Sequence, residues 1–166
     1  MPRYLIMIKK RKWDKLSVPW LQGQGIQADP LSDLRISDGN LSVWHIKDDM
    51  TNLNDVILAL AITRSNIDKL EYGLFDPAVV VDAGVTVQES PGNTPLEIAN
   101  SWHRDLVQLT IDKVCRLTKS MFENLEKRRI LEDEIRTMII EAIDREVLDS
   151  KKLNKDLRNK VFKNPG

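Results

Sequence analysis

The sequence predicts an α+β fold: a small mixed sheet containing a βαβ unit, followed by a C-terminal segment of three to four helices. Three observations predict it. Short segments with strand patterning, residues 4–9, 41–46 and 70–75, gather in the first half of the chain. A helical stripe separates the second from the third. From Asn93 onward, helix punctuation and a 3.6-residue period take over. Of the 166 residues, 42% are hydrophobic and 30% charged, an ordinary globular composition. A chain of this length can bury one full core. The expected layout is an α/β part at 1–92, with a long irregular loop at 14–40, and a helical part at 93–166, together one compact domain.

The first segment, YLIMIK at 4–9, is apolar on both faces, as suits a strand covered on both sides. Residues 14–40 hold Pro19, Gly23, Gly25, Pro30 and Gly39 and show no period; a loop this long is often functional. LSVWHI at 41–46 alternates as a second strand. Thr51 or Asn52 can cap the next helix, in which Leu53, Val56, Ile57, Leu60 and Ala61 form a packed stripe. LEYGLF at 70–75 is a third strand. Strand, helix and strand in this order predict a right-handed βαβ unit with parallel strands. Asp76-Pro77 opens a short helix that Gly84 ends, and residues 85–89 form a fourth strand; the run VVVDAGVTV also fits one bent strand.

In the second half, TPLE at 94–97 has the pattern of a capping box with Pro at the first helical position. It predicts helix to about Leu125, one that also admits a break near Thr110, with Val107, Ile111, Val114, Thr118, Met121, Phe122 and Leu125 on one stripe. Residues 126–129 are read as a charged link, and 131–147 as a helix with Ile135, Met138, Ile139, Ala142 and Ile143 on its apolar face. Asp149 caps a last helix bearing Leu153, Leu157 and Val161 among dense Lys and Arg. Such a helix is marginal alone and must dock on something.

Cations and acids number 25 each, but unevenly placed. Residues 1–40 carry +3, residues 41–125 carry −5 and residues 126–166 carry +2. One cysteine, Cys115, allows no internal disulfide, and its place beside Val114 on the helical stripe predicts a buried structural thiol. The N-terminus lacks the order of a secretory signal, and no stretch reaches the roughly 18 apolar residues of a membrane span. The expected location is the cytoplasm, with no membrane partner.

No catalytic residue, cofactor or metal is predicted. With one Cys and two separated His, no zinc pattern can be drawn, and no phosphate-binding glycine loop or nucleophile elbow occurs. His45 with Asp48 and Asp49 could hold a metal or a general base, but Leu41 and Val43 share its strand face, which favours a half-buried structural histidine. His103-Arg104-Asp105 falls inside the predicted helix and lacks the companions that kinase chemistry requires. The sharpest charge feature is Lys9, Lys10, Arg11, Lys12 and Lys15 around Trp13, able to hold phosphate with Trp13 stacked on a base.

These features point to a non-catalytic accessory or adaptor subunit that binds a larger protein partner in an intracellular complex, of the kind microbial operons encode beside larger machines, antiviral defence systems among them. The expected contact residues are Trp13, Trp20, Trp102, Arg104 and the Leu153, Leu157 and Val161 face. The alternatives are nucleic-acid binding through the N-terminal basic cluster, and an enzyme assembled around His45, Asp48 and Asp49.

Overall fold

The computed structural model describes residues 1–15, 21 and 25–162. Strand β1 (Arg3–Met7) is apolar on both sides and lies inside the sheet. On one side it pairs with β2 (Leu41–Ile46), on the other with β3 (Leu70–Phe75), antiparallel in both cases. Helix α1 (Leu53–Ile62) connects β2 to β3. These two strands therefore run in the same direction but do not touch. The expected parallel βαβ pair is split by β1, whose two apolar faces and two backbone edges are all satisfied there.

Helix α2 (Ala78–Asp82) and strand β4 (Thr86–Glu89) follow, then α3 (Glu97–Asn100), β5 (His103–Val107), α4 (Ile111–Asn124), β6 (Glu126–Ile130), α5 (Glu132–Asp144) and α6 (Lys155–Phe162). The sheet order is β4-β5-β2-β1-β3-β6, and every neighbouring pair is antiparallel. The fold is α+β, as expected, but the sheet is antiparallel rather than mixed. Two of its strands come from the segment expected to be helical.

Both surprises have local causes. Thr94 does not cap a helix: its hydroxyl donates to Asn100 Oδ1 at 2.9 Å, and Asn100 Nδ2 donates back to the Thr94 carbonyl at 3.1 Å. This reciprocal clasp limits α3 to four residues. The chain then extends as β5, which fills the slot between β2 and β4 and buries Leu106 completely. Thr110 starts α4 by accepting from the Lys113 amide at 3.4 Å. The charged stretch 126–130 becomes an edge strand, where side chains on both faces can reach water.

Helices cover both faces of the sheet. On one face, α1, α3, α5 and α6 pack over Leu5, Trp44, Ile46, Leu70, Tyr72 and Leu74. On the other, α2, α4 and the 3₁₀ turns Lys10–Trp13 and Leu31–Asp33 lie over Ile6, Leu41, Val43, Phe75 and Leu106. At the end of α4, Leu125 lies against Gly73, where any Cβ would collide with its side chain. The first turn of α4 overhangs the body: Ile111 is 83% exposed and Val114 only half-buried. Cys115 is accordingly exposed, against the buried thiol expected from its stripe. Among the described residues no helix is long and apolar enough to cross a membrane.

Candidate functional site

Among the described residues, β4 and β6 are the outer strands of the sheet, each with one backbone edge unpaired. In an antiparallel edge strand alternate residues turn their N–H and C=O groups outward, so each edge offers a row of unused donors and acceptors. All four residues of β4 are exposed. Its register sets Val87 opposite Leu106 and Glu89 opposite Arg104. Val87 therefore faces the α4 side of the sheet. There α2 packs beside β4 and presents Val81, 74% exposed, with Val87 itself 36% exposed. The one charge on β4, Glu89, is engaged: Arg104 Nη2 lies 3.1 Å from its Oε1.

A polar cluster on the opposite side of β5 holds β4 in place. Asp105 Oδ2 accepts from the Ser90 hydroxyl at 2.5 Å, and Asp105 Oδ1 accepts from the Ser42 hydroxyl at 3.1 Å, so one carboxylate ties β5 to both neighbours. His103 Nδ1 lies 2.8 Å from the Ser90 carbonyl and 3.0 Å from the Ser90 hydroxyl oxygen. The His103 ring stands edge-on to Trp44, with centroids 5.1 Å apart. Gly92 donates its N–H to the Asn100 carbonyl at 2.8 Å and lies too close to Trp44 and His103 to accept a larger residue without movement.

Serine, histidine and aspartate meet here, but not as a catalytic triad. A carbonyl oxygen only accepts, so His103 Nδ1 carries the proton and cannot receive one from Ser90. Asp105 takes the serine hydroxyl directly instead of orienting the imidazole. The arrangement fastens the end of β4. Sequence reasoning missed it, because it depends on the pairing of Ser90 with a strand then read as helix. The alternation of His103 and Asp105, two residues apart, was the one local signal.

The other expected residues are scattered. His45 is half-buried, with its ring edge-on to Tyr4 at 6.2 Å. Its pKa is lowered, first by burial and then by the Arg104 guanidinium, against an opposing pull from Asp48. Asp48 faces the N-terminal amine at 3.6 Å, and Asp49 accepts from the Thr51 amide and hydroxyl at 3.1 and 2.8 Å. The three side chains thus have separate partners. Among the described residues no group of three or more His, Cys, Asp or Glu is placed to hold a metal.

Trp13, expected at a surface, is 2% exposed; its ring stacks on Phe122 and its indole N–H donates to Asp33 Oδ2 at 2.9 Å. The 3₁₀ turn swings it inward between charged neighbours. Leu153, Leu157 and Val161, expected to meet a partner, are buried in this chain's own core against α5. Trp102 is half-buried with Lys47 Nζ 5.4 Å above its ring, and Arg104 belongs to the β4 edge. Trp20 lies outside the described residues. The basic residues Lys9, Lys10, Arg11, Lys12 and Lys15 sit on and beside the Lys10–Trp13 turn, on the sheet face opposite α6 with its Lys155, Arg158 and Lys160. A scan against known protein families, a search of curated proteins and a search of solved structures each return no match to this chain.

Proposed function

We propose that this chain is a non-catalytic accessory subunit that binds a partner protein by adding an extended segment of it to β4. The observation that carries the reading is an exposed edge strand with a single charge, Glu89 paired to Arg104, flanked by the exposed Val81 and Val87. In strand addition, main-chain hydrogen bonds supply affinity and alternate side chains supply specificity. The second strand position is already rigid, because Asp105 fixes β5 to both Ser90 and Ser42, so little ordering cost falls on this side of the interface. A cytoplasmic setting belongs to the same proposal and fits the exposed, unpaired Cys115.

The test is Val87→Lys, which adds a gatekeeping charge without touching the core. Affinity capture with wild-type chain retains a stoichiometric partner; the variant keeps its thermal midpoint and loses that partner. A variant that retains the partner fully sinks the β4 reading.

A further inference from the structure

We infer that the Lys10–Trp13 turn and its flanks are a second, independent contact surface for the phosphodiester backbone of nucleic acid. The turn is clamped from beneath. The Lys9 amide donates to Asp33 Oδ2 at 2.5 Å, the Lys10 amide to Glu71 Oε2 at 2.9 Å and the Trp13 indole to Asp33. Lys127 Nζ closes the far end on the Trp13 carbonyl at 3.0 Å and on Asp14 at 2.6 Å.

The nearest acids are thereby committed to backbone and indole N–H groups and to Lys127, Lys69 and Arg129. Among the described residues, the side chains of Lys9, Lys10, Arg11 and Lys15 have no carboxylate partner, and residues 16–20 and 22–24 contain no Asp or Glu. A rigid turn thus presents four uncompensated cations beside the basic β6 edge on a chain of zero net charge.

Nucleic acid fits this surface better than an acidic protein does. Protein interfaces draw their affinity from buried apolar or aromatic anchors, and the one aromatic among the described residues of this surface, Trp13, is closed inside the core. Backbone phosphates need only charge and tolerate a wet, polar surface. With Trp13 unable to stack on a base, binding is independent of sequence.

The probe is a fluorescein-labelled random-sequence DNA strand, alone and as a duplex, titrated with the full chain by anisotropy between about 50 and 200 mM salt. Four phosphate contacts predict a log–log salt slope of about −3 to −4. Lys9→Ala/Lys10→Ala/Arg11→Ala, at two exposed positions and one partly exposed one, is expected to weaken binding at least tenfold at the lowest salt and to reduce the slope by about 2 to 3. Lys151→Ala/Lys155→Ala/Arg158→Ala removes equal charge from the opposite face and is expected to change little. The inference is overturned by absence of binding at the lowest salt, by equal loss in both triple variants, or by a polyglutamate peptide that displaces the DNA at equivalent concentration. None of these outcomes touches the β4 proposal, whose variant leaves the turn intact.

Discussion

The edge formed by β6 carries Glu126, Lys127, Arg128 and Arg129; the edge formed by β4 carries Thr86, Val87, Gln88 and a single acid already held by Arg104. Every β6 charge has a partner: Arg128 on Glu126, Lys127 on Asp14, Arg129 on Glu71. A foreign strand approaching β6 must displace or desolvate four paired ions, whereas one approaching β4 meets a single pair, Glu89 with Arg104. Proteins ordinarily guard exposed edges with charge because an unguarded edge invites pairing. One edge of the sheet is dense in charge and the other nearly free of it, and the β4 proposal rests on that contrast.

The contrast can be broken first at its foundations. Trp13 underlies the β6 side and Leu106 the β4 side, and both are essentially buried. Trp13→Ala is expected to cost about 3–5 kcal/mol and Leu106→Ala about 2–5 kcal/mol in urea unfolding. A loss below about 1 kcal/mol for either would mean that its edge does not rest on that residue.

Asp105→Ala is the sharper cut. It removes the acceptor of the part-buried Ser90 hydroxyl and the exposed Ser42 hydroxyl and is expected to cost about 0.5–1.5 kcal/mol. Amide exchange should quicken along Thr86–Glu89 and stay unchanged along Glu126–Ile130. Equal quickening at both edges would show that Asp105 supports the sheet in general rather than β4 in particular.

The β6 side has its own pH signature. Burial of Glu71 alone would raise its pKa, but the Lys10 amide and the Arg129 guanidinium outweigh it and hold the carboxyl below its ordinary value. A depressed carboxylate contributes stability that is present above its unfolded value and is lost as pH falls through the folded value. Wild-type stability should therefore decline on acidification below about 4.5, the ordinary glutamate value. Glu71→Gln should flatten that decline, measured by unfolding across pH. His45 acts with the opposite chemistry and the same slope: its lowered pKa means stability is lost as pH falls below the ordinary histidine range, and His45→Gln removes that loss. The smallest effect is Arg128→Thr. Its ion pair with Glu126 is exposed, so stability changes by less than about 1 kcal/mol. Sedimentation at high concentration should nonetheless show new self-association through β6.

How much of this was legible depends on whether a signal was local. β1, β2, β3 and β4 announce themselves by apolar runs or alternation, and α1, α5 and α6 by their stripes, because those patterns are set by neighbours along the chain. β6 was hidden because an edge strand needs no buried face, and EKRRI reads as linker. β5 was hidden by a stronger local signature: TPLE has every residue of a capping box, yet Asn100 claims Thr94 first. Trp13 was misplaced because its lysine neighbours suggest solvent, whereas the turn geometry directs it inward. The apolar face of α6 has the pattern of a docking face, and what it docks on is this chain. The cluster at Ser90 and Asp105 joins residues on different strands, and nothing along the chain reports that pairing.

The most direct test of the β4 edge is amide hydrogen exchange on the chain with and without the partner recovered by affinity capture. Strand addition predicts new protection of alternate amides within Thr86–Glu89, with Glu126–Ile130 unchanged. Protection confined to β6, or to a surface away from both edges, would contradict it.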